Sequence, residues 1–303
     1  MRTAAAIRGV PPKGVQPCSI AVDQFVRSPC NESSAGDTCH PIDPLQRASG
    51  SVRWAARPWP QATGPILRPC CGVHLSRATE LFEFEGRSSS SPFITATWET
   101  QSDSGTPSFV SVAATQWEIV VARQEGAVWV TLRGPEAEAA VAPVPQDAEF
   151  FGIPFSLGTF MPGVDLRQLV GRGVTLPSPS GRSFWLGGSS WELPKPHNAD
   201  VFVDRLVDAG MLVHDPVASA ALHDDVRRGL STRSVERRVA RATGLTRGTI
   251  RQIQRAGQAV ELLGQGVSPV DVVRRLGYAD QPHLTRSLRR FVGQTPSRIT
   301  AGA

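Results

Sequence analysis

The distribution of apolar and polar positions divides the chain into three textures. Between residues 81 and 200 the apolar residues come in short runs, at 92–98, 109–113, 118–122, 127–132, 150–155 and 183–186. These runs are rich in Val, Ile, Thr and aromatic residues, and Gly, Pro or Asp punctuates them. This is the pattern of strands in an antiparallel sheet. At Asn198 the period lengthens. Residues 199–208 bring Val201, Phe202, Leu206 and Val207 towards one face, and Gly210 stops the helix this predicts. A second helix is expected over 216–228, with Asp215 as N-cap and Pro216 in the first helical position.

Beyond this point the pattern repeats itself at an offset of 49 residues. With Ser231 set on Asp280, Val235, Val239 and Ala242 fall on Leu284, Leu288 and Phe291, and Gly244 falls on Gly293. Each copy has a small polar N-cap, one apolar stripe and a closing Gly, so two helices of one design are predicted. Their outward faces carry Arg233, Glu236, Arg237 and Arg241 in the first and Gln281, His283, Arg286 and Arg290 in the second. Arg can bond guanine O6 and N7 in a bidentate way and Gln can do the same to adenine, so these side chains suit the major groove of DNA.

Helices preceding the two copies would complete a pair of helix-turn-helix units. Residues 216–228 lead the first. In the second, Ser268 caps a helix with Pro269 at its start and Asp271 three residues after the cap, Val270, Val273 and Leu276 facing inward and Gly277 making the turn. Residues 247–263 join the units as one helix, with Ile250, Ile253, Val260 and Leu263 inward and Arg247, Arg251 and Arg255 outward. Its length of about 25 Å falls short of the roughly 34–36 Å between successive major-groove windows on one face of B-DNA. Turns, the reading helices or DNA bending must supply the difference.

Charge follows the same division. Residues 221–303 carry 15 Arg and no Lys against 6 acids, a net +9, whereas residues 81–220 carry a net −8. A basic module joined to an acidic domain with another role is implied.

The stretches LSTRSVERRVARATGLT, RQIQRAGQAVELLGQGVSPVDVVRRLGYADQPHLTRSLRRFVGQTPSRI and, within the second, GYADQPHLTRSLRRFVGQTPS resemble the AraC/XylS transcriptional regulators over residues 230–299. The resemblance implies a double helix-turn-helix domain that binds promoter DNA. It places Arg233, Glu236 and Arg237 where members of the family read bases from the first unit, and Gln281, His283 and Arg286 where they read from the second. Thr232, Arg238, Arg290 and the amides near Thr295 are expected at phosphates. Pro282 departs from the pattern, standing where members carry a small or polar residue; it removes a backbone donor at a position that tolerates the loss. SPFITATWE, TLRGPE, GIPFSLGTFMPG, SFWLGGSSWELP and HNADVFVDRLVDAGMLVHDP resemble the β-rich N-terminal domain of a subgroup of the same regulators.

Residues 1–80 show no sustained period and are expected to be disordered, or to be an extension from an upstream start codon with translation beginning near 73–81. All five cysteines, Cys18, Cys30, Cys39, Cys70 and Cys71, lie here. Cys30, Cys39, Cys70 and Cys71, with His40 and His74, invite a zinc reading, but their spacings fit no common zinc pattern. The β region lacks an HxH motif, has no Cys and has no His before His197, which argues against metal-dependent cupin chemistry. At the junction, Asn198 or His197 is read as a helix cap, and Trp98, Trp117, Trp129, Trp185 and Trp191 as core rather than pocket lining. No signal-peptide core or membrane-spanning run is evident.

These readings combine into an α+β protein: a β-rich N-terminal sandwich or barrel followed by an all-α double helix-turn-helix domain. The expected divisions are 1–80, a β-rich sensor or interaction domain at 81–200, a connecting helix at 201–214 and a DNA-binding domain at 215–303. A cytoplasmic, nucleoid-associated regulator without catalytic residues, metal or cofactor is expected. Its expected partners are double-stranded promoter DNA, a small-molecule effector, a second copy in a homodimer and RNA polymerase, with no membrane. Two alternatives stand beside it: a DNA-binding protein whose β domain is only an interaction scaffold, and a cysteine-based DNA-repair methyltransferase fused to the same kind of module.

Overall fold

The computed structural model describes residues 85–103, 108–178, 181–222 and 231–301. The expectations for residues 1–80, including every cysteine, lie outside them. The chain begins in the β region with β1 (Glu85–Ser88), β2 (Ala96–Gln101), β3 (Ser108–Ser111), β4 (Glu118–Gln124), β5 (Ala127–Arg133) and β6 (Ala140–Pro143). It continues through β7 (Glu149–Pro154), β8 (Thr159–Phe160), β9 (Gly173–Leu176), β10 (Ser183–Leu186) and β11 (Ser189–Glu192). Six strands form one antiparallel sheet in the order β1-β2-β7-β4-β5-β9, and β3 pairs with β6 and β10 with β11 as two-stranded ribbons. The β-branched runs read from the sequence fall in these strands because alternate residues are buried on opposite faces of the sheet.

Strand β4 shows how the two faces differ. Ile119 and Val121 join the large core, with Val130 and Leu132 of β5 and Phe151 and Ile153 of β7. Val120, between them, points to the opposite face, where it meets Trp98, Phe109, Ala142 and Phe150 in a second cluster. The β3–β6 ribbon supplies Phe109 and Ala142, so it covers that second face. Gly152 pairs with both Trp98 and Val120, and a Cβ there would lie 2.0 Å from the indole ring of Trp98. Only glycine lets the indole lie flat on the strand, with its Nε1 donating to buried Glu118 at 3.1 Å.

The tryptophans divide unequally. Trp98, Trp117 and Trp191 are core, Trp117 stacking on Phe155 with centroids 3.9 Å apart. Trp129 is half-buried and Trp185 is 44 % exposed, which corrects the core reading for Trp185. Strand β10 buries Phe184 and Leu186, and Trp185 between them faces out through the strand's alternation.

Helix α1 (Ala199–Asp208) buries Ala199, Phe202, Val203 and Leu206. Val201, read as inward, is 60 % exposed, because it lies on the opposite side of the wheel from Val203 and Leu206. Asn198 occupies the N-cap position, yet its side chain does not cap the helix: Oδ1 accepts from the Lys195 amide at 2.7 Å and closes the short 3-10 turn Pro196–Asn198 instead. After α1 the chain returns to the β region as β12 (Val213–His214), paired with β8.

The remaining helices are α2 (Pro216–Leu222), α3 (Thr232–Thr243), α4 (Arg247–Gly264), α5 (Pro269–Leu276), α6 (Gln281–Val292) and α7 (Pro296–Ala301). Asp215 caps α2, accepting from the amides of Val217 and Ala218 at 2.9 and 3.1 Å. In α5 the buried residue is Val272, not Val270, which is 49 % exposed. Residues 272, 273 and 276 span about 100° of the helix circumference and form the packed face, which leaves Val270 beyond its edge. The large core runs without a break from Ile94 of the β region through α1 and α2 to Ile299 of α7. The described residues fall in one compact unit.

Candidate nucleic-acid interface

The two helices related by the 49-residue repeat are built alike in three dimensions. The Ser231 hydroxyl accepts from the Ser234 amide at 3.3 Å to open α3, and the Asp280 carboxylate accepts from the His283 amide at 2.6 Å to open α6. Each cap satisfies an amide at a helix start that would otherwise lack a partner. Val235, Val239 and Ala242 bury one face of α3, and Leu284, Leu288 and Phe291 bury the matching face of α6. Gly244 and Gly293 end both helices in the left-handed region, each with φ +76°, where a side chain would be strained.

These caps and stripes decide which side chains reach out. Arg237 and Arg286 sit two residues after the first apolar position of their stripes, about 200° around the helix, and both are exposed. Arg233 and Gln281, in the first turns of α3 and α6, are exposed as well, as is Thr232. Glu236 is half-buried on the flank of α3.

Four other expected contact residues are engaged within the protein. His283 is half-buried: its Nδ1 accepts from the Ala279 amide at 3.3 Å, and its ring meets the edge of Tyr278 with centroids 5.3 Å apart. Arg238 pairs with Asp215 at 3.1 Å, joining α3 to the cap of α2. Arg290 pairs through Nε and Nη2 with Glu138 of the β region, both at 3.0 Å. Thr295 lies half-buried at the start of α7, where its carbonyl accepts from Arg298 and Ile299.

Behind the exposed side chains, α4 holds the units together. It buries Ile250, Ile253, Ala256, Ala259, Val260 and Leu263, so the inward face read from the sequence is present and wider. Thr246 caps it, accepting from the Thr249 amide at 3.1 Å. Arg255, read as outward, is half-buried over the Tyr278 ring, its Cζ 4.4 Å from the centroid and its Nη1 3.5 Å from the Gly277 carbonyl. A guanidinium on an aromatic face gains from the ring quadrupole while staying partly hydrated. Tyr278 thus binds the second unit's turn to the linker helix. Apolar periodicity does not single out Tyr278, although an aromatic directly after a turn glycine is a local signal for such a contact. Ser268 caps α5 through the Asp271 amide at 3.2 Å, but the Asp271 carboxylate accepts from the Ser268 hydroxyl rather than from a backbone amide, because an Asp side chain is too short to reach back.

Among the described residues no cluster of His, Cys, Asp or Glu is placed to hold a metal ion, and no helix is long and apolar enough to cross a membrane. Glu99 and Asp165 of the β region are perturbed. Burial, reinforced by Glu85 and Glu149, raises the pKa of Glu99, and hydrogen bonding from Arg167 lowers that of Asp165.

The geometry is that of a double helix-turn-helix module, and comparison with known proteins identifies its type. Residues 227–301 match the family described as a helix-turn-helix domain. The chain is also similar to the HTH-type transcriptional regulator RipA of Corynebacterium glutamicum, at 34% identity over 111 residues, which is 36% of this chain and 32% of that protein. The chain thus spans about a third of the length of the curated relative it matches. No solved structure matches it. The C-terminal region carries an AraC-type helix-turn-helix domain.

Proposed function

We propose that this chain is a sequence-specific DNA-binding regulator of transcription, in which α3 and α6 enter successive major grooves of promoter DNA. The observation that carries this reading is the matched exposure of Arg237 and Arg286 at equivalent positions of two capped helices on a basic module. Similarity to a named transcriptional regulator supports it. Arg233, Arg237, Gln281 and Arg286 are the base-reading side chains of this proposal, with Glu236 and His283 beside them. Thr232, Arg238, Arg290 and the Thr295 region meet phosphates, Arg238 and Arg290 through the guanidinium N–H groups that do not face Asp215 and Glu138.

The acidic β region senses a small molecule or mediates self-association in this reading, and RNA polymerase is the downstream partner. The protein works in the cytoplasm at the nucleoid and does no catalysis. Selection of bound sequences from random double-stranded DNA tests the core of the proposal. A consensus with two elements about 10–10.5 base pairs apart is expected. Affinity should fall steeply as salt rises, because each neutralised phosphate releases counterions. Recovery of no consensus together with a flat salt response would refute it.

A further inference from the structure

The β region touches both reading helices at positions related by the same 49-residue repeat. On α3, Arg241 lies over the Phe160 ring, 4.8 Å from its centroid, and a Cβ on Gly244 would stand 2.6 Å from the Leu166 carbonyl oxygen. On α6, the equivalents do the same work with other residues. Arg290 pairs with Glu138, and a Cβ on Gly293 would stand 2.7 Å from Val110 Cγ1. Two backbone bonds strengthen the second contact: the amides of Ala113 and Ala139 donate to the carbonyls of Phe291 and Arg290, both at 2.8 Å. These carbonyls belong to the last turn of α6, where no amide of the helix itself can reach them.

The two contacts are also fastened to each other inside the β region. The Gly134 amide donates to the Arg172 carbonyl at 2.9 Å, and the Gly171 amide to the Pro135 carbonyl at 2.8 Å. Gly134 lies so close to the Leu169 backbone that a Cβ would fall 2.0 Å from its carbonyl oxygen. The segment facing α3 is therefore bonded to the segment facing α6. A buried ion pair between Arg133 and Glu136, with the Ser111 hydroxyl donating to Glu136 at 2.6 Å, anchors the loop between β5 and β6 that carries Glu138.

We propose that the β region is a frame that sets the separation and rotation of the two reading helices, with Phe160, Leu166, Val110 and Glu138 as its positioning residues. It grips the C-terminal ends and leaves the first turns, with Arg233 and Gln281, exposed. The linker helix α4 is too short by itself to span successive grooves, so a second connection between the units acts directly on the spacing they read. This inference rests on the proposed DNA binding.

The glycines provide the test. Gly244, Gly277 and Gly293 all cap helices with positive φ, but a Cβ on Gly277 would meet nothing within 4 Å. Gly277→Ala therefore carries the helix-end strain alone, whereas Gly244→Ala and Gly293→Ala add a collision with the frame. Full-length wild type and variants are titrated against the selected site and against sites with one or two base pairs inserted or removed between its elements. Wild type should lose about tenfold or more on altered spacing, since one base pair rotates the second element by about 34°. Gly244→Ala and Gly293→Ala should reduce that discrimination to under about threefold, and Gly277→Ala should keep it.

Glu138→Gln, which adds no strain, should weaken discrimination partly and serves if the glycine variants fail to fold. Equal spacing profiles in the wild type and in every folded frame variant, Glu138→Gln included, would overturn the frame. Tighter binding by the frame variants would overturn it too, in favour of a β region that blocks DNA. A wild type that binds no selected DNA would sink the regulator reading itself, and the frame with it.

Discussion

At the scale of single residues, the distinction that matters is between cations free to meet DNA and cations already committed. Arg286 and Arg290 differ by four positions on α6, so they project from nearly the same side, yet only Arg290 has a carboxylate from the β region against it. Arg286→Ala is expected to weaken binding by about 1–3 kcal/mol and to relax preference at one base step. Equal losses on specific and random DNA would assign Arg286 to a phosphate instead. Arg290→Ala should cost similar affinity on all sequences, and the salt slope should fall by about one unit.

Glu99 offers a residue-scale prediction of another kind. Its folded pKa is raised, by burial first and by Glu85 and Glu149 next, so its charged form opposes folding. A group raised in this way favours the fold below its unfolded pKa, and that support is lost as pH rises through the folded value. Glu99→Gln should therefore raise the melting temperature at pH 7, and the gain should vanish below about pH 4. A gain that persists in acid would show that packing, not charge, is responsible.

Among elements, the reading helices were the most legible part of the sequence, because every determinant is local. Ser231, Asp280, Gly244 and Gly293 mark their ends, and a stripe spaced by four and then three residues marks their faces. Ser231→Ala or Asp280→Ala should each cost about 1 kcal/mol, read as a lower denaturation midpoint at unchanged slope. Helices α1 and α5 were less legible at the level of facing. Val201 and Val270 are apolar and near the right period, but a helix covers only one stripe, and which valines it buries depends on what packs against it. The same holds for Asn198, whose side chain serves the Lys195 turn in place of the helix it precedes.

For the whole molecule, the continuous core changes what the β region means. Ala218 and Leu222 of α2, Phe160 of β8 and Val239 of α3 belong to one apolar cluster, so the β region and the helices share buried surface. Removing residues 1–215 should destabilise the remainder, since the Phe291 and Arg290 carbonyls lose their donors from the β region. The apolar side chains of α2 and α3 that share the β-region core would also be exposed to water, at roughly 25 cal/mol per Å². Faster hydrogen exchange at the end of α6 than in the full chain is the expected signature. Unchanged protection there would mean that solvent replaces those bonds without penalty.

By itself the sequence determined the α+β division, the strand runs, the caps and stripes of α3 and α6, and the contrast between a basic C-terminal part and an acidic β region. All of these follow from propensity, periodicity and charge within a few dozen residues. Tertiary structure alone decided that Glu138 meets Arg290 across 152 positions of chain, that Arg255 covers Tyr278, and that Leu166 and Val110 lie against the glycines closing the reading helices. Such contacts leave no periodic trace, because each depends on where the sheet carries its loops rather than on the residues beside it.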